Sequence, residues 1–137
     1  ILLLNFDFTP SGFSLSKCMC GTTLSNTNNV TNWRSAFIQC ISLKRIVGVD
    51  MESAENTATT FDANYSCEDL IINNLSVSID ASSPVGLNKP SLLYAINNEA
   101  ATSPITITLA TNVYNKYATD PDVVEALTNH PNITLAK

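Results

Sequence analysis

Charge is scarce in this chain: 14% of its residues carry one, and its seven Lys and Arg are scattered. Globular domains usually hold about a quarter charged residues. So few dispersed cations cannot build a basic face, which excludes a nucleic-acid binder and an anionic-membrane surface. Glycine is equally sparse. The four, at 12, 21, 48 and 86, stand apart, whereas a phosphate cradle needs them clustered. There is one histidine and no Cys-x-x-Cys, so zinc loses its usual ligand spacing. No Gly-x-Ser-x-Gly elbow and no Asp-x-Asp-x-Asp-Gly loop is present, which removes the signatures of a serine hydrolase and of a calcium loop. No apolar run approaches the ~20 residues of a membrane span. The opening Ile1-Leu2-Leu3-Leu4 meets Asn5 and Asp7 at once, too short for a signal core. Without an initiator Met, it reads as a processed or trimmed start, the chain being the end of a longer protein.

What fills the gap is polar and uncharged. Ser, Thr and Asn make up about a third of the 137 residues, beside an ordinary 45% of apolar ones. That mixture suits turns held by side-chain amides and hydroxyls. The length is that of one domain, and the net charge is −5.

The stretch Asn32 to Gly48 organises the rest. Trp33, Ala36, Phe37 and Cys40 are spaced i, i+3, i+4, i+7, which predicts about two turns of helix over 34–39. A strand is expected from Leu43 to Met51. A degenerate copy follows, with Asn56, Phe61, Cys67 and Leu70 answering Asn32, Phe37, Cys40 and Leu43. The first two pairs are 24 residues apart and the last two 27, implying a three-residue insertion. Self-similarity at such a period signals a solenoid. Glu52 to Thr60 reads as a second helix-like segment, and Leu70 to Ile79 as one strand.

The end of the chain is more regular. Ile1 to Thr9 has β character, but Pro90 opens a clear helix to about Asn98, with Leu92, Leu93 and Ile96 inward. Ile105 to Leu109 alternates as a strand, and Val113, Tyr114 and Tyr117 mark a short helix. Asp120-Pro121 is a cap followed by Pro at the first helical position. Val123, Val124 and Leu127 are that helix's expected buried stripe, His130-Pro131 its stop, and Asn132 to Ala136 a last strand. Strand starts near 43, 70, 105 and 133 read as one stacked β–α series.

Asn29-Val30-Thr31-Asn32-Trp33, then Phe37, then Cys40-Ile41-Ser42-Leu43 resembles the repeat of BspA-like leucine-rich-repeat proteins. Trp33 stands where Met is usual. The match is good over Asn29 to Asp50 and partial over Ala54 to Asp80, and the tail from Ser91 to Lys137 is similar to the non-repeat end of many such proteins. The resemblance implies an α/β leucine-rich-repeat solenoid, one domain over 1–137. Degenerate repeats would fill 1–83 and a C-terminal β–α cap 84–137. It also implies a bacterial surface or phage virion protein that is not an enzyme, needs no cofactor and binds protein or glycan. An assembly subunit, packing through an open edge at residues 1–9, is the alternative.

Few side chains invite chemistry. Phe37, Cys40, Leu43, Phe61, Cys67 and Leu70 are expected inward as repeat positions. Cys40 and Cys67 read as buried thiols, the alternative being a disulfide from Cys18 or Cys20 to Cys40. His130 reads as a helix-end cation or a surface residue. Among the acidic residues Asp50, Glu52, Glu55, Asp62, Glu68, Asp69 and Asp80, turn capping outweighs a glycosidase pair or a calcium site. Asp50 and Asp80, ending successive strand regions, are expected on one edge. Sequons at Asn29, Asn64, Asn74 and Asn132 are no more than an Asn- and Thr-rich chain yields by chance. Surface aromatics remain: Tyr65, Tyr114 and Tyr117 are the candidate contact residues, Trp33 belonging to the core.

Overall fold

In the computed structural model, residues 21–137 and the backbone of Leu2–Leu4 are described. Parallel strands pair strictly in chain order. β1 (Leu2–Leu4), β2 (Thr22–Leu24), β3 (Arg45–Asp50) and β4 (Asp69–Asn73) form one small sheet, and β5 (Ile79–Ala81), β6 (Ile105–Leu109) and β7 (Ile133–Ala136) a second. Among the described residues, three helices complete this mixed α/β arrangement: α1 (Lys89–Asn97), α2 (Thr111–Tyr117) and α3 (Pro121–Asn129). The strands are short, and in β4 the inward Leu70 and Ile72 alternate with the partly exposed Asp69, Ile71 and Asn73, because one face is covered. The predicted single strand from Leu70 to Ile79 is two strands in different sheets. Asn74 breaks it with a left-handed φ of +50°, a conformation Asn tolerates better than most residues. Nor do the strands near 43, 70, 105 and 133 form one series, since β3 and β4 lie in one sheet and β6 and β7 in the other.

β3 and β4 pair Arg45 with Asp69, Ile46 with Leu70 and Val47 with Ile71, a constant offset of 24 residues also spanned by Ser35 and Thr59. The expected three-residue insertion is therefore absent. Asn64, not Cys67, takes the place of Cys40: each donates its N–H to a phenylalanine carbonyl, Phe37 for Cys40 and Phe61 for Asn64. Cys67 takes the place of Leu43, and Leu70 pairs with Ile46. Identical letters had suggested the wrong register. Gly48 adds a bulge in β3 at a φ of +87°, where glycine has no steric penalty.

The predicted helix over 34–39 is a run of tight turns. The N–H groups of Ala36, Ile38 and Cys40 close back on Trp33, Ser35 and Phe37, while those of Trp33, Ser35, Phe37 and Gln39 donate to Asn56, Ala58, Thr60 and Asp62. Alternate amides thus serve the turn and the neighbouring segment. Ser35 and Gln39 sit at φ of +57° and +60°, matched by Thr59 and Ala63 at +55° and +59°, and such residues cannot continue an α-helix. The second helix-like stretch, 52–60, is likewise made of turns. Asn32 and Asn56 open the two runs identically, each Oδ1 accepting the amide two residues on.

Inside, Trp33, Phe37 and Phe61 are buried and stacked, with ring centroids 6.3 Å and 5.9 Å apart. Two buried polar side chains tie the same runs together. Asn64 donates its amide to the Phe37 carbonyl at 2.5 Å, and the Thr60 hydroxyl reaches the Trp33 carbonyl at 2.9 Å.

Near residue 75 the faces exchange roles. α1 packs alongside β4, with Ser91 Oγ accepting the Leu70 amide and Tyr94 bonded to Asn73. β5 comes to lie beside the turns at 57–63, through Thr57 on the Ser78 carbonyl and Ser83 on the Ala63 amide. Asn88 caps α1 through the Ser91 amide, and Asp120 caps α3 through the Asp122 amide, as expected for Asx residues before Pro. Lys89 reaches both Asp120 and Asp122, at 3.1 and 2.6 Å, and joins the two helix starts. On α3, Val123 and Ala126 are buried, but Val124 is not part of the stripe and is exposed. Of 1–9, only β1 is described, and the CxC pair at 18–20 lies outside the described residues.

Candidate contact surface

All six repeat positions, Phe37, Cys40, Leu43, Phe61, Cys67 and Leu70, are buried. Burial, with Asp69 and Glu68 nearby, pushes the Cys67 thiol up to about 12, so it packs as a small hydrophobe and is no nucleophile at neutral pH. The proposed disulfide partners of Cys40, Cys18 and Cys20, lie outside the described residues.

The carboxylates serve turns. Asp50 Oδ1 accepts the Glu52 amide and Asp80 Oδ1 the Ser82 amide, both closing Asx turns. The two do not share an edge: Asp50 pairs with Asn73 in the first sheet and Asp80 with Thr108 in the second. Among the described residues no three His, Cys, Asp or Glu side chains gather to hold a metal. His130 ends α3, its amide on the Ala126 and Leu127 carbonyls and its ring nitrogen 3.4 Å from Glu99.

Tyr65 stands at the surface. It is 56% exposed, as are Ile41 at 59% and Val85 at 49%. These three occupy one position in successive segments. Ile41 and Tyr65 are equivalent in the 24-residue register, because that offset holds on both sides of them, at Ser35 with Thr59 and at Arg45 with Asp69. Tyr65 and Val85 are equivalent at an offset of 20, fixed by the Ala63 amide on Ser83 and the Asn88 amide on the Glu68 carbonyl. The result is an exposed apolar row at the bends that lead into β3, β4 and α1. Tyr65 is legible from sequence as an aromatic. Ile41 and Val85 become visible only once the register is known.

Tyr114 and Tyr117 stand elsewhere. Both are half-buried against the core and covered by cations, Lys137 lying 5.3 Å from the Tyr114 ring and Lys116 5.1 Å from that of Tyr117. They join α2 to the core and do not extend the row.

Beside the row is a small notch of about 200 Å³, lined by Thr59, Asp62, Asp80, Ser82 and Ser83. A broader depression shares Ser82 with it and includes Val85, Asn112 and Lys137. No described helix is long and apolar enough to cross a membrane. Comparison of the chain with protein-family models, curated proteins and solved structures finds no match in any of the three.

Proposed function

We propose that the chain is a non-enzymatic binding module, a leucine-rich-repeat-like solenoid end that meets a protein or glycan at a bacterial or virion surface. The observation that carries this is the recurrence of a large exposed apolar side chain at one register position, Ile41, Tyr65 and Val85. Exposed apolar side chains are unremarkable singly and informative when contiguous. In-order parallel pairing, with one inward phenylalanine per segment at Phe37 and Phe61, supports the solenoid, in which each unit covers its neighbour's apolar side. The resemblance at Asn29 to Leu43 supports the family and the surface location.

Ile41→Ser, Tyr65→Ser and Val85→Ser combined should leave the thermal midpoint nearly unchanged, because exposed substitutions usually cost under about 0.5 kcal/mol each. Binding on protein and glycan arrays should be lost in that variant. Undiminished array binding by the triple variant, or none by the parent chain, contradicts the reading. The alternative, an assembly subunit, rests on β1, which pairs only with β2 among the described residues and so presents an open strand edge. Light scattering at micromolar concentration separates the two, a monomer arguing against assembly.

A further inference from the structure

We propose that the row binds a protein segment in which an arginine or lysine neighbours an apolar side chain, the cation entering the Asp62–Asp80 notch while its neighbour rests on Tyr65 and Val85. This rests on the binding-module reading and names its ligand class. The notch meets the row at Val85: Ser82 borders both the notch and the depression that includes Val85, and Ser83, which accepts the Ala63 amide two residues before Tyr65, lines the notch two residues before Val85. Its charged groups are all acceptors. Asp62 and Asp80 contribute carboxylates and Thr59, Ser82 and Ser83 hydroxyls, and no lysine, arginine or side-chain amide lines it.

Charge selects the occupant. Among the described residues, the ion pairs engage Arg45 with Asp69, Lys89 with Asp120 and Asp122, and His130 with Glu99. Asp62 and Asp80 belong to none of them. Exposed Glu68, beside Gly86, adds a third negative group one residue along from Val85. A guanidinium presents five donors and no acceptor, the complement of such a wall. A neutral sugar can donate its hydroxyls to the same carboxylates but brings no charge to meet theirs, so its bonds there are the weaker ones. A second copy of this chain is a poor fit as well. A stable dimer needs about 800 Å² from each partner, more than three side chains flanked by polar turns supply.

The test is chemical-shift mapping of the isotopically labelled chain with three millimolar probes: acetyl-leucyl-arginine amide, its citrulline analogue and maltotriose. The arginine peptide should shift the amides of Asp62, Tyr65, Asp80, Ser83 and Val85, and the citrulline analogue should bind about two- to fivefold more weakly. Asp62→Asn with Asp80→Asn should erase that difference. Asn keeps the Oδ1 acceptor that closes the turn at Ser82, and an unchanged spectrum away from the notch confirms that the variant folds. Equal binding of arginine and citrulline peptides overturns the inference. Shifts at these amides from maltotriose alone overturn the ligand class and leave the binding row standing. Silence toward all three overturns both.

Discussion

Replacing Gly48 with alanine should be far more damaging than the same change at Gly21 or Gly86. A Cβ built at Gly48 lies 2.1 Å from the Leu24 carbonyl oxygen and 2.9 Å from its carbon, at a φ of +87°. The backbone conformation alone costs an L-residue about 1–2 kcal/mol. The overlap is with backbone, so it is relieved only if β3 moves away from β2. That movement strains two hydrogen bonds holding the bulge, Thr27 Oγ1 to the Gly48 carbonyl at 2.6 Å and the Asp50 amide to Thr27 Oγ1 at 2.9 Å. Each such bond is worth about 1 kcal/mol net, giving a loss of about 3–4 kcal/mol. Set against the ~5–15 kcal/mol that holds a domain together, this is a large fraction. Urea unfolding followed by circular dichroism measures it directly, with the midpoint falling and the slope unchanged. A loss below about 1 kcal/mol would refute the close approach of β2 to the bulge.

Further outcomes follow from the same packing. Asn64→Ala removes the buried amide that donates to the Phe37 carbonyl and should cost about 1–3 kcal/mol by chemical denaturation. Cys67, buried with its thiol pushed up to about 12, should resist a maleimide at pH 8 in the native chain and react in urea. At the helix starts, Lys89 is raised by Asp122 and then Asp120, while burial of Asp120 is outweighed by Lys89 and backbone donors, leaving its carboxyl lowered. The raised lysine contributes fully below about pH 10 and the lowered carboxyl fully above about pH 4. Lys89→Met should therefore lower the thermal midpoint by a constant amount between pH 5 and 9. That difference should shrink as pH falls through the lowered Asp120 value, which removes one of the two carboxylates that Lys89 meets.

Local signals marked the C-terminal elements well. Asn88 before Lys89-Pro90, Asp120 before Pro121, and the Ile-Thr alternation of β6 are short-range chemistry, and each element formed where that chemistry placed it. The turn region was legible in burial and illegible in conformation. Trp33, Ala36, Phe37 and Cys40 all point inward, as a helix stripe would, because successive tight turns repeat at a similar interval. The difference lies in left-handed φ at Ser35 and Gln39, residue types that give no warning of it. Register failed for a related reason. Cys40 and Cys67 look equivalent, but the segments match by backbone pairing, and Asn64 under Cys40 is chemically unlike it. The same error hid the contact row, since Ile41 and Val85 gain meaning only from alignment with Tyr65.

The central claim is that alternate amides of the Trp33–Gln39 turns bond to the segment that follows, in a fixed 24-residue register. Scalar couplings transmitted through hydrogen bonds report this pairing without intermediaries. They should connect the Trp33, Ser35, Phe37 and Gln39 amide nitrogens to the carbonyl carbons of Asn56, Ala58, Thr60 and Asp62. Couplings from these amides to carbonyls four residues earlier, as in a helix, or to carbonyls three positions further along, would contradict it.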